Sequence, residues 1–150
     1  MVEMTKQNIM VCTRAVIFNE NGEVLVQHGL TPEDDFYRLP GGEVKFREKL
    51  EDCVAREIKE ETGLYVKVIR LLWVRDFLEE YYHSIELYFL ANIEGGKLET
   101  DLEGNCERLF KTLEELENVV FYPKAFILKL KLLRDSRNRT EENPYVGSAK

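Results

Sequence analysis

The sequence predicts a single α/β domain with a mixed sheet, and three observations carry that expectation. Short runs rich in β-branched and aromatic residues recur along the chain, each closed by a Gly, Pro or Asn cluster. Between residues 47 and 61 the apolar period changes to a helical one. The chain has 150 residues and is 44% hydrophobic, enough for one core but with no composition shift or linker to mark a second.

Taken in order, residues 9–18 (IMVCTRAVIF) read as a strand. Asn19 to Gly22 is a turn, and 23–28 (EVLVQH) is the returning strand of a hairpin. An acidic loop at 29–36 leads to a short YRL, and Pro40-Gly41-Gly42 ends any regular element there. Leu50, Val54 and Ile58 form one stripe of a helix over 47–61, with Gly63 as its C-cap. Residues 65–77 form a long strand, 78–82 (LEEYY) a polar loop, and 83–93 the next strand. A second acidic loop covers 99–107, followed by the short strand RLFK. Thr112 and Glu115 have the spacing of a capping box. Pro123 is placed to open a last helix over about 124–135. Residues 1–136 are thus expected to form the domain, and the polar residues 137–150 a fraying tail.

Composition narrows the function. A net charge of −7 gives no bulk attraction for duplex nucleic acid. A phosphate-bearing ligand would need a local cation, supplied by side chains or by a metal. Cys12, Cys53 and Cys106 are odd in number and include no C-x-x-C pair, which argues against a disulfide framework or a zinc site. No apolar run is long enough to span a bilayer and the first residues lack a signal-peptide core, so the expected location is cytoplasmic.

The chemistry is concentrated in Gly42–Leu64. Glu57, Glu60 and Glu61 share one arc of a helix, where like charges at i, i+3 and i+4 repel. That arrangement becomes favourable around a hard cation such as Mg²⁺ or Mn²⁺, which prefers carboxylate oxygens. Arg56 can pair with one of the carboxylates. The preceding glycines let backbone approach the same point. An isolated E-x-x-E-E is more often a solvated helix face, but this one is embedded in a longer pattern. Gly42, Glu48, Arg56, Glu57, Glu60, Glu61 and Gly63, with Ile58 and Leu64 as the aliphatic positions, match the Nudix box G-x5-E-x7-R-E-U-x-E-E-x-G-U at every specified position.

The chain therefore resembles the Nudix hydrolases. The resemblance implies an α/β/α sandwich and hydrolysis of a nucleoside diphosphate linked to another moiety, with Mg²⁺ or Mn²⁺ as cofactor. It implies Glu57, Glu60, Glu61 and the Gly41 carbonyl as metal ligands, with Glu57 able instead to deprotonate the attacking water. Glu48 and Arg56 would brace the group. Glu103 and Glu107 are both eligible for a further acid from the downstream loop. The partner is expected to be a small nucleotide: a nucleoside triphosphate, ADP-ribose or a nucleotide sugar, or a dinucleoside polyphosphate. Arg14, Tyr37 and Arg38 are candidate substrate contacts, and Phe36 is placed to stack on a base. Tyr81 and Tyr82 fall where relatives acting on dinucleoside polyphosphates carry a tyrosine. His28, His83 and Trp73 are expected to be structural. Family analogy also suggests a homodimer. The alternative is a domain that senses a nucleotide metabolite without turning it over, which such relatives usually reach by losing box residues.

Overall fold

A computed structural model describes residues 7–99, 104–136 and 143–150. Among these residues seven strands and three α-helices follow in the order β1 (Met10–Val16), β2 (Val24–Gly29), β3 (Tyr37–Arg38), β4 (Gly41–Glu43), α1 (Leu50–Thr62), β5 (Leu64–Glu79), β6 (Tyr82–Gly96), β7 (Cys106–Lys111), α2 (Leu113–Leu116) and α3 (Phe126–Asp135), with a single 3-10 turn at Pro32–Asp34. They build a four-stranded sheet in the order β4-β1-β6-β5 and a three-stranded sheet β3-β2-β7. The first sheet is mixed, because β1 runs parallel to β6 and antiparallel to β4.

Alternation along β1 feeds two cores. Ala15 and Ile17 point to the side covered by α1, where they meet Leu25, Val54, Ile58, Phe89 and Ala91. Val16 points to the other side, into a cluster with Trp73, Tyr88, Leu113, Leu116, Phe126 and Leu130 beneath α2 and α3. The result is the expected α/β/α sandwich. Trp73 is 2% exposed and meets the Phe126 ring edge-on at 5.0 Å, so it is a core residue.

Several sequence expectations need correction. The turn at Asn19–Gly22 forms, with Gly22 at φ 73° and its N–H bonded to Asn19 O, and the hairpin pairing beyond it is one antiparallel bridge long, Phe18↔Val24, with Leu25 N donating to Ile17 O. Both edges of β1 are taken by β4 and β6, so the hairpin pairing goes no further and β2 continues in a sheet with β3 and β7. Gly41–Glu43 does not break regular structure. It pairs with β1 in the register Arg14↔Gly41, Thr13↔Gly42 and Cys12↔Glu43. The polar loop at 78–82 shrinks to a tight hairpin turn, since pairing continues to Glu79↔Tyr82.

Helix α1 starts at Leu50 rather than 47. Arg47 has φ 66°, and Glu48 turns back to accept a hydrogen bond from Lys45 N at 3.1 Å. Helix α3 starts at Phe126, not at Pro123. Its approach is tied down elsewhere, with Ala125 N donating to Lys150 O at 3.1 Å. That bond also corrects the expectation of a fraying tail. Residues 143–150 lie along β5, with Val146 N donating to Val74 O and Asp76 N to Gly147 O. The capping box forms as expected, Glu115 N donating to Thr112 Oγ1 at 3.0 Å and Thr112 N to Glu115 Oε1 at 3.2 Å. All three cysteines are free thiols. Among the described residues no helix is long and apolar enough to cross a membrane.

Candidate functional site

The helix α1 is amphipathic in a way that brings its acidic end into the core. Val54 and Ile58 anchor it to the sheet, and Gly63 at φ 79° closes it through Gly63 N to Lys59 O. Glu61, one turn beyond Glu57, is thereby carried under the sheet and is 4% exposed. Glu60 lies on the open side, with 42% of its side chain exposed.

Arg56 organises the acids. Its Nε and Nη2 hold Glu48 at 2.6 and 2.9 Å as a two-pronged pair. Nη1 reaches Glu57 Oε1 at 2.8 Å and Glu60 Oε2 at 3.2 Å, while Nη2 also donates to Glu43 O at 3.1 Å. One guanidinium therefore ties the loop before α1 to three carboxylates. The Arg56 bonds hold the Glu48 carboxyl down, against the opposing effect of burial, at about 2.

A stability prediction follows from that shift. A carboxyl whose folded pKa lies below its ordinary 4.5 stabilises the fold above pH 4.5, and loses that contribution as pH falls toward 2. Discounted for its solvent access, the pair is worth on the order of 2 kcal/mol. Glu48→Gln should lower the melting temperature at pH 7 and flatten the acid limb between pH 4.5 and 2. Melting curves across that range check it; an unaltered acid limb would mean that the pair carries no net stabilisation.

The expected gathering of Glu57, Glu60 and Glu61 is only partly seen. Among the described residues no three His, Cys, Asp or Glu side chains stand together in ligating geometry. Glu57 and Glu61 do neighbour one another, and Arg56 draws Glu60 outward. Burial, with the neighbouring Glu57 charge adding to it and Arg108 and Arg14 opposing, raises the Glu61 carboxyl well above the usual carboxylate range. Its Oε2 is buried and has no hydrogen-bond partner among the described residues. A buried carboxylate oxygen left in this state is costly unless a cation or proton completes it. The Gly42 backbone passes directly over the Glu57 carboxyl. A Cβ at Gly42 would sit 2.4 Å from the Glu57 carboxyl carbon. An all-oxygen donor set of this kind suits Mg²⁺ or Mn²⁺.

A cavity of about 560 Å³ opens among β1, β3, β5 and β6. Arg14 and Arg38 line it, as does Phe36, which stacks edge-on with Tyr122 at 5.4 Å between ring centres. Both arginines interact with the Glu61 charge, although Glu57, Glu60 and Glu61 do not themselves line the cavity. Arg14 is fixed by Glu86, Nε to Oε2 at 3.1 Å, and by Leu39 O at 3.4 Å. The Gln27 amide oxygen, in the orientation its neighbours require, accepts from Arg38 Nη2 at 2.8 Å.

Tyr37 is not brought to the cavity. It stacks on His28 at 4.2 Å, 7° from parallel. Strand alternation explains this, because Tyr37 faces the opposite way from Arg38. The same alternation turns Glu107 away from Arg108 and toward His28, whose Nδ1 it meets at 2.9 Å. His28 Nε2 meets Asp35 at 2.7 Å. Burial pushes the His28 pKa down, but the bonds to Glu107 and Asp35 outweigh it and the net shift is upward. The histidine is thus a structural clamp. Glu103 lies outside the described residues. Tyr81 is 92% exposed, whereas Tyr82 lines the cavity and packs edge-on against Phe77.

Arg75, Glu86 and Tyr122 were not singled out from the sequence. The available signal was a charged residue inside a strand that otherwise alternates apolar, as Glu86 does between Leu87 and Ile85.

An acid-bearing helix with its brace, set beside a cationic cavity in an α/β/α sandwich, defines a class of phosphate-ester-handling domain. A family model described as NUDIX domain matches residues 9–132, and the chain belongs to the Nudix hydrolase family. It is 34% identical over 113 residues to an ADP-ribose pyrophosphatase of Methanocaldococcus jannaschii, covering 74% of this chain and 66% of that protein. It is 36% identical over 93 residues to the NAD-capped RNA hydrolase NudC of Vibrio parahaemolyticus, covering 62% of this chain but 35% of that protein. The chain thus spans two thirds or less of the length of these relatives. Among solved structures, the MutT NUDIX hydrolase of Burkholderia pseudomallei superposes with a TM-score of 0.65 at 26% identity, over 82% of this chain and 98% of that one.

Proposed function

We propose that the protein hydrolyses the diphosphate linkage of a nucleoside diphosphate joined to another moiety, with Mg²⁺ or Mn²⁺ as cofactor and ADP-ribose-like compounds as its preferred class. The observation that carries this reading is the buried, partnerless Glu61 oxygen beside Glu57, within charge range of Arg14 and Arg38, which line a cavity. Glu57 and Glu61 would hold the cation, with the Gly41 carbonyl and with Glu60 once it turns from Arg56. Bound there, the cation supplies charge neutralisation of the diphosphate and acidifies water.

The chain's own groups do the rest. Arg14 and Arg38 bind the diphosphate oxygens and orient the anhydride. Phe36 and Tyr122 offer ring faces and edges for a base. Glu57 accepts the proton of the water that attacks phosphorus, the P–O–P bond breaks, and the departing phosphate takes the electron pair. Glu48 and Arg56 keep the Glu57 carboxyl aimed while this happens. An acidic chain holding a polyanion in this way fits a small nucleotide partner and a cytoplasmic location. The preference for ADP-ribose-like compounds is supported by the similarity to the archaeal pyrophosphatase.

The test is product analysis with ADP-ribose, NAD, ATP and dGTP in Mg²⁺ or Mn²⁺. AMP and ribose 5-phosphate should form from ADP-ribose, and chelation should stop the reaction. Release of pyrophosphate from the triphosphates with ADP-ribose untouched would overturn the substrate class. No turnover of any compound would overturn the hydrolase reading.

A further inference from the structure

We infer that residues 143–150 form a strap that builds one wall of the substrate cavity and determines which moiety on the second phosphate is accepted. The inference rests on the hydrolase reading above. The strap lies outside residues 9–132, the part matched by the family model.

The docking is specific. Strand β5 is the edge of its sheet, and residues 144–147 extend that sheet in parallel. Val74 N donates to Pro144 O at 2.9 Å, Val146 N to Val74 O at 3.0 Å and Asp76 N to Gly147 O at 2.9 Å. The Tyr145 hydroxyl bonds the Asp76 carboxylate. Val146 and Ala149 pack against the larger core cluster, and Lys150 O caps Ala125 N at the start of α3. Between these anchors, Ser148 and Lys150 face the cavity and line it.

The strap is also wired to the groups that would hold the diphosphate. Arg75, 7% exposed, donates from Nε to Ala149 O at 2.7 Å and pairs through Nη1 with Glu86. Glu86 in turn holds Arg14. A buried guanidinium keeps its orientation only while each arm has an acceptor. Withdrawing Ala149 O leaves Arg75 held only by Glu86 and the Phe77 ring face, and so loosens the Glu86 carboxylate that positions Arg14. Arg75 and Glu86 are positioning residues, and the strap supplies one of their fixed points. Two edge-on aromatic pairs, Phe36 with Tyr122 and Phe77 with Tyr82, line the same cavity as the strap side chains Ser148 and Lys150.

The experiment compares the full chain, a chain ending at 142, and Ser148→Trp, which keeps every strap bond but fills the cavity. Probes are ADP-ribose, NAD and ATP. Truncation should cut the ratio of kcat/KM between the best and worst probe by at least about tenfold, with a rise in KM larger than the fall in kcat. Ser148→Trp should raise KM for the bulkiest accepted probe by a similar factor. The Val74 and Asp76 amides should exchange slowly in the full chain and fast after truncation. Calorimetry with ADP-ribose in the presence of EDTA reads the cavity without turnover, and affinity should fall in both variants. Unchanged KM, ratio and affinity in Ser148→Trp, or in a folded truncated chain, overturns the inference while leaving the hydrolase intact. If the full chain turns over nothing, the hydrolase reading fails, and unchanged calorimetric affinity then decides against the strap on its own.

Discussion

Glu57→Gln is expected to lower kcat by about 10³-fold while the melting temperature moves by only a few degrees, since general-base and metal-holding roles each contribute on the order of 10²–10⁴. The substitution keeps the side chain's shape and one carbonyl oxygen, so the Arg56 Nη1 contact at 2.8 Å retains an acceptor. What disappears is the charge beside Glu61 and the capacity to take a proton. Two further effects should accompany the loss. The Glu61 carboxyl, raised by burial first and by the Glu57 charge second to Arg108's opposing pull, should ionise more readily once that charge is gone. Affinity for Mn²⁺ should fall as well, read by calorimetry or by the paramagnetic relaxation of water. A variant turning over within tenfold of the parent would show that Glu57 neither holds the cation nor receives the proton. Glu57 would then be a structural partner of Arg56.

The contrast between Glu57 and Glu60 shows how far the sequence could lead. The box spacing puts Glu57, Glu60 and Glu61 on one arc of α1, and the helix forms with the expected apolar stripe. Spacing on a helix says which direction a Cβ points, but not which carboxyl a neighbouring guanidinium will capture. Arg56 was legible as a brace, yet its reach to Glu48, Glu57 and Glu60 together depends on the left-handed turn at Arg47, which no periodicity announces. The cavity shows the same division. Arg14 and Arg38 were identifiable as local cations and do line it. Tyr37 was their neighbour in sequence, but the period of two in β3 turns it to the opposite face and onto His28.

Long-range pairing was the least legible part. The β1–β2 turn is local chemistry and forms where the Asn-Gly cluster places it, with Asn19 Oδ1 accepting from Asn21 N and Glu23 N. Whether the strands it joins stay together depends on β6, some seventy residues away, which pairs with β1 from Met10↔Ser84 to Val16↔Leu90. Likewise the polar composition of 143–150 argues for a frayed tail, because most of its anchors are backbone groups and the side chains that dock, Tyr145, Val146 and Ala149, carry no periodic pattern. Their partners lie about seventy residues back in the chain. Composition is blind to backbone hydrogen bonds.

Gly42→Ala is expected to leave the fold nearly as stable as the parent and to cost about 100-fold in kcat, the scale set by a misplacement of roughly 1 Å at a reacting centre. The backbone at Gly42 lies outside the left-handed region, so alanine meets no conformational penalty there and slightly restricts the unfolded chain. The new Cβ would instead fall 2.4 to 2.6 Å from all three atoms of the Glu57 carboxyl group. The end of a flexible side chain can move away from such a clash at little cost in stability. In moving, it leaves the place where Gly41-Gly42 backbone and Glu61 converge, and that displacement is what the rate should report. Gly41 provides the control. Its Cβ would lie 1.9 Å from Thr13 O, a backbone atom of β1 that cannot yield without breaking the β1–β4 pairing. Gly41→Ala should therefore lose stability and activity together, seen as a lowered melting temperature. Gly42→Ala should separate the two. If Gly42→Ala keeps its full kcat, the Glu57 carboxyl works from some other position than the one it occupies here, and the neighbouring glycines serve only to let the strand pass.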